Sequence, residues 1–378
     1  MNPFAPFIFF FGKDMFRHVI MFTAIYLISW FLSLSGFVWS GYLMWTSLIA
    51  ISTIIIWRAG DFFSPAATYI QEKHELPQSI KAAVIDAIAS SFPEFCVAII
   101  AVILIGRAEV GISTIVGSAL YNVLVIPAAA GLVASSPMVI SREVVWRDNV
   151  YYLAVVLLLG VMLWQFPNEW SAGVAVLFLL TYVIYVFILH RDFKKSKSQD
   201  SDSLKTEVTE IETTEDEDDE LELTSEKIAW LWIAAMMIVM GGASHLLVES
   251  SLALGDMLGI DAVIMGFVVI AAGTSVPDTA LSVISARKGQ YDAAISNVFG
   301  SNIFDICICL SIPILLALVI SGEATSIDLP QLGLIWSLIG ATILALYFFW
   351  SNNYTLTKAK AGMMGMFYIL IIMFAFNF

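Results

Sequence analysis

The stretch Ala-Ala-Gly-Thr-Ser-Val-Pro-Asp at residues 271–278 lies inside a segment that is otherwise apolar over two helix lengths. A Gly, a Pro and an Asp together are unusual in a helix that crosses a bilayer, because a charged side chain at the bilayer centre costs about 2.5–3.5 kcal/mol on insertion scales. A similar stretch, Ala-Ser-Ser-Phe-Pro-Glu, occurs at residues 89–94. Two such stretches in one chain indicate a polar site at membrane depth.

The composition predicts an all-α polytopic membrane protein. The chain has 378 residues, of which 59% are hydrophobic and only 13% are charged, whereas about a quarter of the residues of soluble domains are charged. Apolar runs of about 20 residues, each long enough for a membrane-spanning helix, recur along the chain. The alternating segments of a β-barrel are missing from this pattern. We predict eleven spans, at 18–36, 39–70, 78–105, 109–134, 149–166, 170–190, 228–256, 260–286, 290–320, 331–350 and 359–377.

Basic residues predict how the protein is oriented in the membrane. With the N-terminus in the cytoplasm, 16 of the 18 Lys and Arg residues fall in inside loops and the adjoining helix ends, as the positive-inside rule requires. We therefore expect a multi-pass protein of the plasma membrane with a cytoplasmic N-terminus. The first span could instead be a cleaved signal sequence, but no clear small-x-small cleavage site follows it, which favours a retained helix.

Residues 191–227 form the long polar stretch that divides the chain. They begin basic and become strongly acidic, with Thr-Glu-Asp-Glu-Asp-Asp-Glu-Leu-Glu at 214–222. Such a composition buries too little apolar surface to fold alone, which predicts a disordered cytoplasmic linker. A Ca²⁺ sensor is the alternative, but the Gly and the ligand spacing of an EF-hand loop are missing. The predicted units are 1–36 (an extra helix), 37–190, the linker 191–227, and 228–378.

The two large units resemble each other in sequence. Residues 80–94 align with 264–278 at an offset of 184, and residues 113–122 align with 296–305 at an offset of 183. Each unit has five spans, and an odd number places the second copy upside down relative to the first. The predicted architecture is thus an inverted 5+5 repeat preceded by an extra N-terminal helix, an arrangement that secondary transporters use to build ion sites near the midplane.

Pro93 and Pro277 interrupt the hydrogen-bond ladders of their helices. We expect this to make the carbonyl groups around 87–91 and 271–275 available as ligands, beside the carboxylates of Glu94 and Asp278. Ca²⁺ takes six to eight hard oxygen ligands, and no His or Cys cluster suggests a transition metal. The alternative interpretation is a pair of helix kinks with hydrogen-bonded carboxylic acids of structural value.

The second matching segment of each unit adds polar side chains, namely Ser118, Asn122, Ser301, Asn302 and Asp305. Positions four apart share a helix face, so Ser118 lies beside Asn122, and Ser301 lies beside Asp305. Gly117 and Gly300 should allow close helix approach. Asp305 can be charged where its counterpart Asn122 is neutral, which suggests room for an additional monovalent cation.

These motifs resemble the two α-repeats of the cation/Ca²⁺ exchanger superfamily, strongly over 80–130 and 264–315. Glu94, Asp278 and Asp305 together are most similar to the pattern of potassium-dependent sodium/calcium exchangers. The resemblance implies that Glu94 and Asp278 are the central Ca²⁺ carboxylates, shared with Na⁺, and that Asp305 carries the potassium dependence. It also implies a sliding gate formed by the helices at 39–70 and 228–256.

The resemblance implies roles for the remaining candidates as well. Backbone carbonyls of Ser90 and Thr274 would bind Ca²⁺, and Asn122 would complete the central site. Na⁺ would take oxygens from a larger set, which comprises Ser91, Ser118, Ser275, Ser301 and the carbonyls of Ala87 and Ala271. One departure is Ala89, which stands where the family usually has Gly and predicts less helix unwinding there.

Two further pairs of ionisable residues lie within predicted spans. Arg58 and Asp61 are three apart and are expected to form a structural ion pair on one helix face. His245 and Glu249 share a face of another helix, and a direct role in transport, such as proton binding, is the alternative to a passive position.

The function predicted from the sequence is an antiporter that exchanges Na⁺ for Ca²⁺, with K⁺ transported together with Ca²⁺, and not an enzyme. Exchange of Ca²⁺ or another divalent cation for H⁺ is the alternative within the same fold. A cation channel is the alternative of a different class, although channels usually build their pore from several subunits. We expect no cofactor and no nucleic acid, and we expect the lipid bilayer and the transported cations as partners. The sequence leaves the oligomeric state open.

Overall fold

The computed structural model describes residues 10–34, 37, 39–74, 87–199, 225–322, 325–326 and 332–376. Within these ranges, ten helices are long and apolar enough to cross a membrane. An eleventh apolar helix, Ser90–Ile105, is shorter, and residues 75–86, where we predicted its first part, lie outside the described ranges. The all-α polytopic fold is therefore confirmed.

The first half of the chain contains an extra helix and five repeat helices. The extra helix α1 (Lys13–Leu34) packs against α2. The repeat helices are α2 (Trp39–Lys73), α3 (Ala87–Ile99, extended by a π-helical segment Ile100–Ile105), α4 (Ala108–Val133), α5 (Val150–Gln165, preceded by a π-helical segment Val144–Asn149) and α6 (Ala172–Gln199). Strands β1 (Met138–Val139) and β2 (Glu169–Trp170) lie in the loops that flank α5.

The second half repeats this order with its spans divided differently. It contains α7 (Glu226–Leu258), α8 (Ala262–Met265) joined through a π-helical segment Gly266–Ile270 to α9 (Ala271–Arg287), α10 (Tyr291–Phe304) joined through a π-helical segment Asp305–Cys309 to α11 (Ser311–Ser321), α12 (Leu332–Tyr354) and α13 (Lys358–Ala375). Strands β3 (Thr325–Ser326) and β4 (Thr355–Leu356) flank α12.

Two small antiparallel ladders show how the halves are arranged. Strand β1 pairs with β4, so that Met138 is opposite Leu356, and β2 pairs with β3, so that Trp170 is opposite Thr325. In each ladder, the loop before the fourth repeat helix of one half pairs with the loop after the fourth repeat helix of the other half. These two loops of a half lie at opposite ends of one spanning helix. The pairing is therefore possible only when the halves are inverted, which confirms the predicted inverted repeat.

The predicted linker is shorter in the structure than in the sequence. Helix α6 continues to Gln199, and α7 begins at Glu226 with the Ser225 hydroxyl accepting a hydrogen bond from the backbone N–H of Ile228. The two ends of the predicted linker are thus helical. The acidic residues 200–224 lie outside the described ranges, and the disorder predicted for them stays a prediction, as do the boundaries of the four units.

Among the described spans, α4 is the most deeply buried, and a glycine allows it to approach the segment before α9 closely. A Cβ at Gly117 of α4 would overlap the backbone carbonyl of Phe267, in the π-helical segment before α9. The close approach predicted for Gly117 is therefore confirmed. The same prediction for Gly300 is wrong, because a Cβ built there has no atom within 4 Å. The two glycines match in sequence, but neighbouring atoms pack closely against Gly117 and not against Gly300.

Helices α2 and α7, the predicted gate, pack against each other more extensively than any other helix pair in the described structure. Apolar side chains from both, among them Phe62 of α2 and Trp232 of α7, stack at this contact with ring centroids 5.7 Å apart. Arg58 Nη1 and Asp61 Oδ2 lie 2.7 Å apart, so the predicted ion pair on α2 is confirmed.

Candidate functional site

The two proline helices stay helical through their prolines. Pro93 lies inside α3 and Pro277 inside α9. Each ring removes one backbone donor, so the carbonyls of Ala89 and Gly273, four residues earlier, lose their helical partner. Because both helices continue through their prolines, the segments 87–91 and 271–275 do not unwind, and the availability of their other carbonyls as ligands stays a prediction. The π-helical segment before α9 adds a local irregularity of the kind often found at functional sites.

Side chains from α3, α4, α9 and α10 meet in a buried polar cluster. The Ser90 hydroxyl of α3 lies 3.2 Å from the Ser301 hydroxyl of α10, and the Ser118 hydroxyl of α4 lies 2.9 Å from the Ser275 hydroxyl of α9. Ser118 Oγ is also 3.3 Å from Glu94 Oε1 and donates to it. Each contact joins one half of the chain to the other or bridges two helices of a half, so the cluster exists only in the assembled bundle.

Three asparagine side chains from α4 and α10 extend this cluster. Asn297 Nδ2 of α10 donates to Asp278 Oδ1 at 3.5 Å. Asn122 Nδ2 donates to Asn302 Oδ1 at 3.0 Å, and Asn302 Nδ2 donates to the backbone carbonyl of Ala119 at 3.1 Å. The Asn302 amide thereby ties α10 to α4, and its role as an ion ligand stays a prediction. We regard Asn302 as a residue that positions Asn122.

Asp305 begins the π-helical segment that follows α10. The thiol of Cys309, one turn later, donates to Asp305 Oδ1 at 3.6 Å and to the backbone carbonyl of Ser91 at 3.8 Å. Through Cys309, Asp305 is linked to Ser91 on the α3 segment that carries Glu94. Three carboxyl groups therefore share one region of the bundle interior.

Burial makes the unpaired oxygens of this region significant. Glu94 and Asp305 are fully buried, and Asp278 is 1% exposed. One oxygen of each carboxyl group, Glu94 Oε2, Asp278 Oδ2 and Asp305 Oδ2, is buried without a hydrogen-bond partner, and so are Ser91 Oγ and Asn122 Oδ1. A buried polar group without a partner costs about 1–3 kcal/mol, and more if it is charged. Five such acceptors in one cluster fit a cation that supplies the missing positive charge.

The arrangement is an oxygen site and not a compact acidic triad. Within the described residues, no group of three or more His, Cys, Asp and Glu side chains converges closely enough to hold a metal ion by itself. A hard cation here would also need hydroxyl, amide and carbonyl oxygens, which Ca²⁺, Na⁺ and K⁺ accept. This donor set suits alkali and alkaline-earth ions better than transition metals, which prefer imidazole and thiolate.

Most of the predicted site residues lie in this cluster. Thr274 is buried, and its hydroxyl donates to the carbonyl of Ala271 at 3.1 Å, so that carbonyl already accepts one hydrogen bond. Ala87 is the first residue of α3 in the structure. His245 and Glu249, by contrast, are exposed on α7 and lie outside the cluster, which argues against their predicted alternative role in the transport site.

Sequence reasoning missed two residues of the cluster. Asn297 precedes Ser301 by four residues, and Cys309 follows Asp305 by four, so both share the helix face of residues that we did predict. The four-residue spacing from Ser301 and Asp305 could therefore have identified both residues from the sequence. We considered cysteine only as a possible ligand of a transition metal, and the structure shows Cys96, Cys307 and Cys309 free.

Comparison with known proteins assigns the chain to a family. Residues 44–190 and 228–377 match the family described as "Sodium/calcium exchanger protein", and these segments make up more than half of the chain. The chain belongs to this family. Its resemblance to the cation/Ca²⁺ exchanger superfamily is confirmed, and the family consists of transporters rather than enzymes. The two matched segments are separated by residues 191–227, the linker predicted from composition.

Individual relatives agree with this assignment. The chain is 29% identical over 284 residues to the inner membrane protein YrbG of Escherichia coli, covering 74% of this chain and 82% of that protein. It is 26% identical over 372 residues to the human sodium/potassium/calcium exchanger 5, covering 76% and 73% of the two chains. Among solved structures, the H⁺/Ca²⁺ exchanger CAX (TM-score 0.68, 13% identity, 96% and 89% of the two chains) and the sodium-calcium exchanger NCX_Mj (TM-score 0.58, 18% identity, 88% and 98%) share the fold.

Proposed function

We propose that the protein is a secondary-active antiporter that exchanges Na⁺ for Ca²⁺, with K⁺ transported together with Ca²⁺. The observation that carries the proposal is the set of unpaired buried oxygens on Glu94, Asp278 and Asp305, contributed by both halves of an inverted repeat. The similarity to the human sodium/potassium/calcium exchanger 5 over three quarters of the chain supports the choice of ions.

The burial of these carboxyl groups explains why transport is coupled. An empty site holds mutually repelling carboxylates away from water, which is costly. A site filled by Ca²⁺, or by several Na⁺ ions, is close to neutral. We infer that the loaded protein passes readily between its inward-facing and outward-facing states, whereas the empty protein does not. Exchange then follows, because a cation must be bound in each direction.

The residue roles follow from the placement of the oxygens. Glu94 and Asp278 lie in matching positions of the inverted halves and bind Ca²⁺ or Na⁺ between them, with help from Ser90, Ser91, Thr274 and Ser275 at the preceding helical turns. Ser118 and Ser301, which contact these segments at 2.9 and 3.2 Å, add hydroxyl oxygens for Na⁺. Asp305, with Asn122 nearby, binds K⁺.

The gate is assigned to α2 and α7. These two helices pack against each other, while the ladders β1–β4 and β2–β3 tie the loops of α4, α5, α6, α11, α12 and α13 together. We propose that α2 and α7 slide as a pair over the remaining helices and expose the site first to one side of the plasma membrane and then to the other.

Radioactive Ca²⁺ uptake into proteoliposomes tests the proposal. Vesicles are loaded with Na⁺ and diluted into Na⁺-free buffer with or without K⁺. Uptake that needs both internal Na⁺ and external K⁺ supports the proposal. Uptake driven by a pH gradient and indifferent to Na⁺ would replace it with Ca²⁺/H⁺ exchange, and uptake without any counter-ion would indicate a channel.

The variant Asp305→Asn tests the potassium assignment separately. The amide keeps the size of the side chain but loses its charge, so we expect Na⁺-dependent Ca²⁺ uptake to continue and its response to external K⁺ to disappear. Unchanged K⁺ dependence would refute the role of Asp305. Glu169→Gln, at an exposed position of β2, serves as the matched control for the removal of one carboxylate.

A further inference from the structure

Helix α7 carries an ionisable pair on its outer face. His245 and Glu249 are four residues apart, and both are exposed. Within the part of the chain that the structure describes, neither side chain has a hydrogen-bond or ion-pair partner. The buried face of α7 points the other way and carries Met240, Ala243 and Leu247. The pair therefore faces away from the bundle.

The position of this pair along the span makes its exposure costly. Helix α7 has 33 residues, and Gly242 is its midpoint. His245 lies about 4.5 Å and Glu249 about 10.5 Å further along the axis, at 1.5 Å per residue. Both distances are shorter than the half-thickness of the hydrocarbon layer, about 15 Å. Ionisable groups at such depth usually pair with each other or line a protected surface.

The neighbouring residues of this face suit a helix contact. Gly242 lies one turn before His245, and a Cβ built there meets no atom within 4 Å, so the backbone is open to close approach. Ile238, one turn earlier still, is 76% exposed, and Leu231 is 70% exposed. Small residues at a membrane helix surface allow such contacts, and polar side chains strengthen them.

We propose that this face of α7 (Leu231, Ile238, Gly242, His245 and Glu249) is the interface with a second copy of the chain. Two copies in one membrane are related by a two-fold axis along the membrane normal, so their α7 helices run parallel across it. A two-fold interface is self-complementary. His245 of one copy contacts Glu249 of the other, and the second contact follows by symmetry.

The charge pattern favours a second copy over lipid or an unrelated partner. In a parallel helix pair, each interface side chain inserts into a hole formed by four residues of the facing helix, which lie within about one turn of its own height. A donor and an acceptor four residues apart on one face meet this requirement by themselves. The acyl chains of lipids offer no such group, and an unrelated partner would need an independent matching pair.

Cysteine cross-linking tests the interface in the full-length protein. Gly242 lies on the proposed interface, at the same height in both copies of a parallel pair, and its surface is open, so Gly242→Cys should give a covalent dimer on mild oxidation in membranes. Met366→Cys, on the exposed surface of α13, is the matched control and should not cross-link. Equal cross-linking at both positions, or none at residue 242, would overturn the proposal.

A charge swap separates the proposed contact from a general loss of stability. His245→Glu places like charges opposite each other and should lower the dimer fraction at least ten-fold in single-molecule photobleaching of liposomes. The double variant His245→Glu/Glu249→His again places an imidazole opposite a carboxylate and should restore the dimer. A dimer fraction that is unchanged in both variants, or a wild-type protein that is monomeric in liposomes, would refute the interface. Unchanged Ca²⁺ uptake in each variant shows that the fold and the ion site are intact.

Discussion

At the scale of single residues, the central question is how the protein tolerates Glu94 and Asp278 in its interior. Their unpaired oxygens imply that a bound cation stabilises the folded protein. A ligand present at about 100 times its Kd adds about 2.7 kcal/mol to the free energy of unfolding. We predict that Glu94→Gln and Asp278→Asn lose this Ca²⁺-dependent gain, because each removes one of the two central charges.

Thermal unfolding of the purified variants with and without Ca²⁺ measures this effect. Without Ca²⁺ both variants should be at least as stable as the wild type, since one of three buried charges in the same region is gone. Glu169→Gln should keep the full Ca²⁺ response. A Ca²⁺-induced shift that survives in either site variant would show that the carboxylates are structural.

Cys309 offers a second residue-scale prediction. Its thiol donates to Asp305 Oδ1 and so competes with a cation for that carboxyl group. In Cys309→Ala this competing donor is lost. We therefore expect the apparent affinity for K⁺ in the uptake assay to rise about two- to five-fold, which corresponds to slightly less than the ~1 kcal/mol that an ordinary hydrogen bond contributes. Cys307→Ala, an equally buried neighbour, is the control and should leave it unchanged. A lower K⁺ affinity in Cys309→Ala would contradict the competition.

The residues of the site were predictable to different degrees. The acid-plus-proline motif at Glu94 and Asp278 stands out against an apolar background, so sequence alone identified it. The partner of Ser118 was not predictable. Its hydroxyl contacts Ser275 and Glu94, and the choice depends on how α4 is rotated against α9, which side-chain spacing within one helix does not determine.

At the scale of elements, the contact at Gly117 sets the distance between α4 and the segment before α9. Gly117→Ala would drive a methyl group into the backbone of Phe267, and backbone does not move aside as a flexible side chain does. Overpacking of this kind costs about 3 kcal/mol. Gly300→Ala, at the matching position of the other half, meets open space and should gain up to about 1 kcal/mol from helix propensity.

Thermal stability of the two purified variants in the same detergent provides the measurement. The pair is informative because the sequences around the two glycines match while their surroundings differ. Equal losses in both variants would mean that the asymmetry seen at these positions is absent from the protein in solution.

The helices themselves were largely predictable, since each predicted span outside the undescribed residues has a helix in the structure. The π-helical segments were not, nor was the continuity of α3 and α9 through their prolines. Pro93 and Pro277 predict a lost hydrogen bond, but whether the chain unwinds depends on the packing of the flanking turns, and that packing comes from other helices.

At the scale of the whole molecule, the ladders allow the orientation to be tested. Val139 of β1 is 63% exposed, and Glu169 of β2 is also exposed. These residues lie at opposite ends of α5. With a cytoplasmic N-terminus, we predict that a membrane-impermeant maleimide labels Glu169→Cys in intact cells and leaves Val139→Cys unlabelled until the cells are opened. The reverse result would invert the orientation, and labelling of both would contradict the inverted topology.

The exchange of strands between the halves has a genetic consequence. The first half supplies β1 and β2, and the second half supplies β3 and β4, so each ladder needs one strand from each half. A gene for the first half alone would encode α1 to α6, two unpaired strand edges and only part of the proposed ion site. Two genes, one for each half, would encode everything the exchanger needs. The fold thus permits a two-chain ancestor or a split descendant, and it makes each of the two chains dependent on the other.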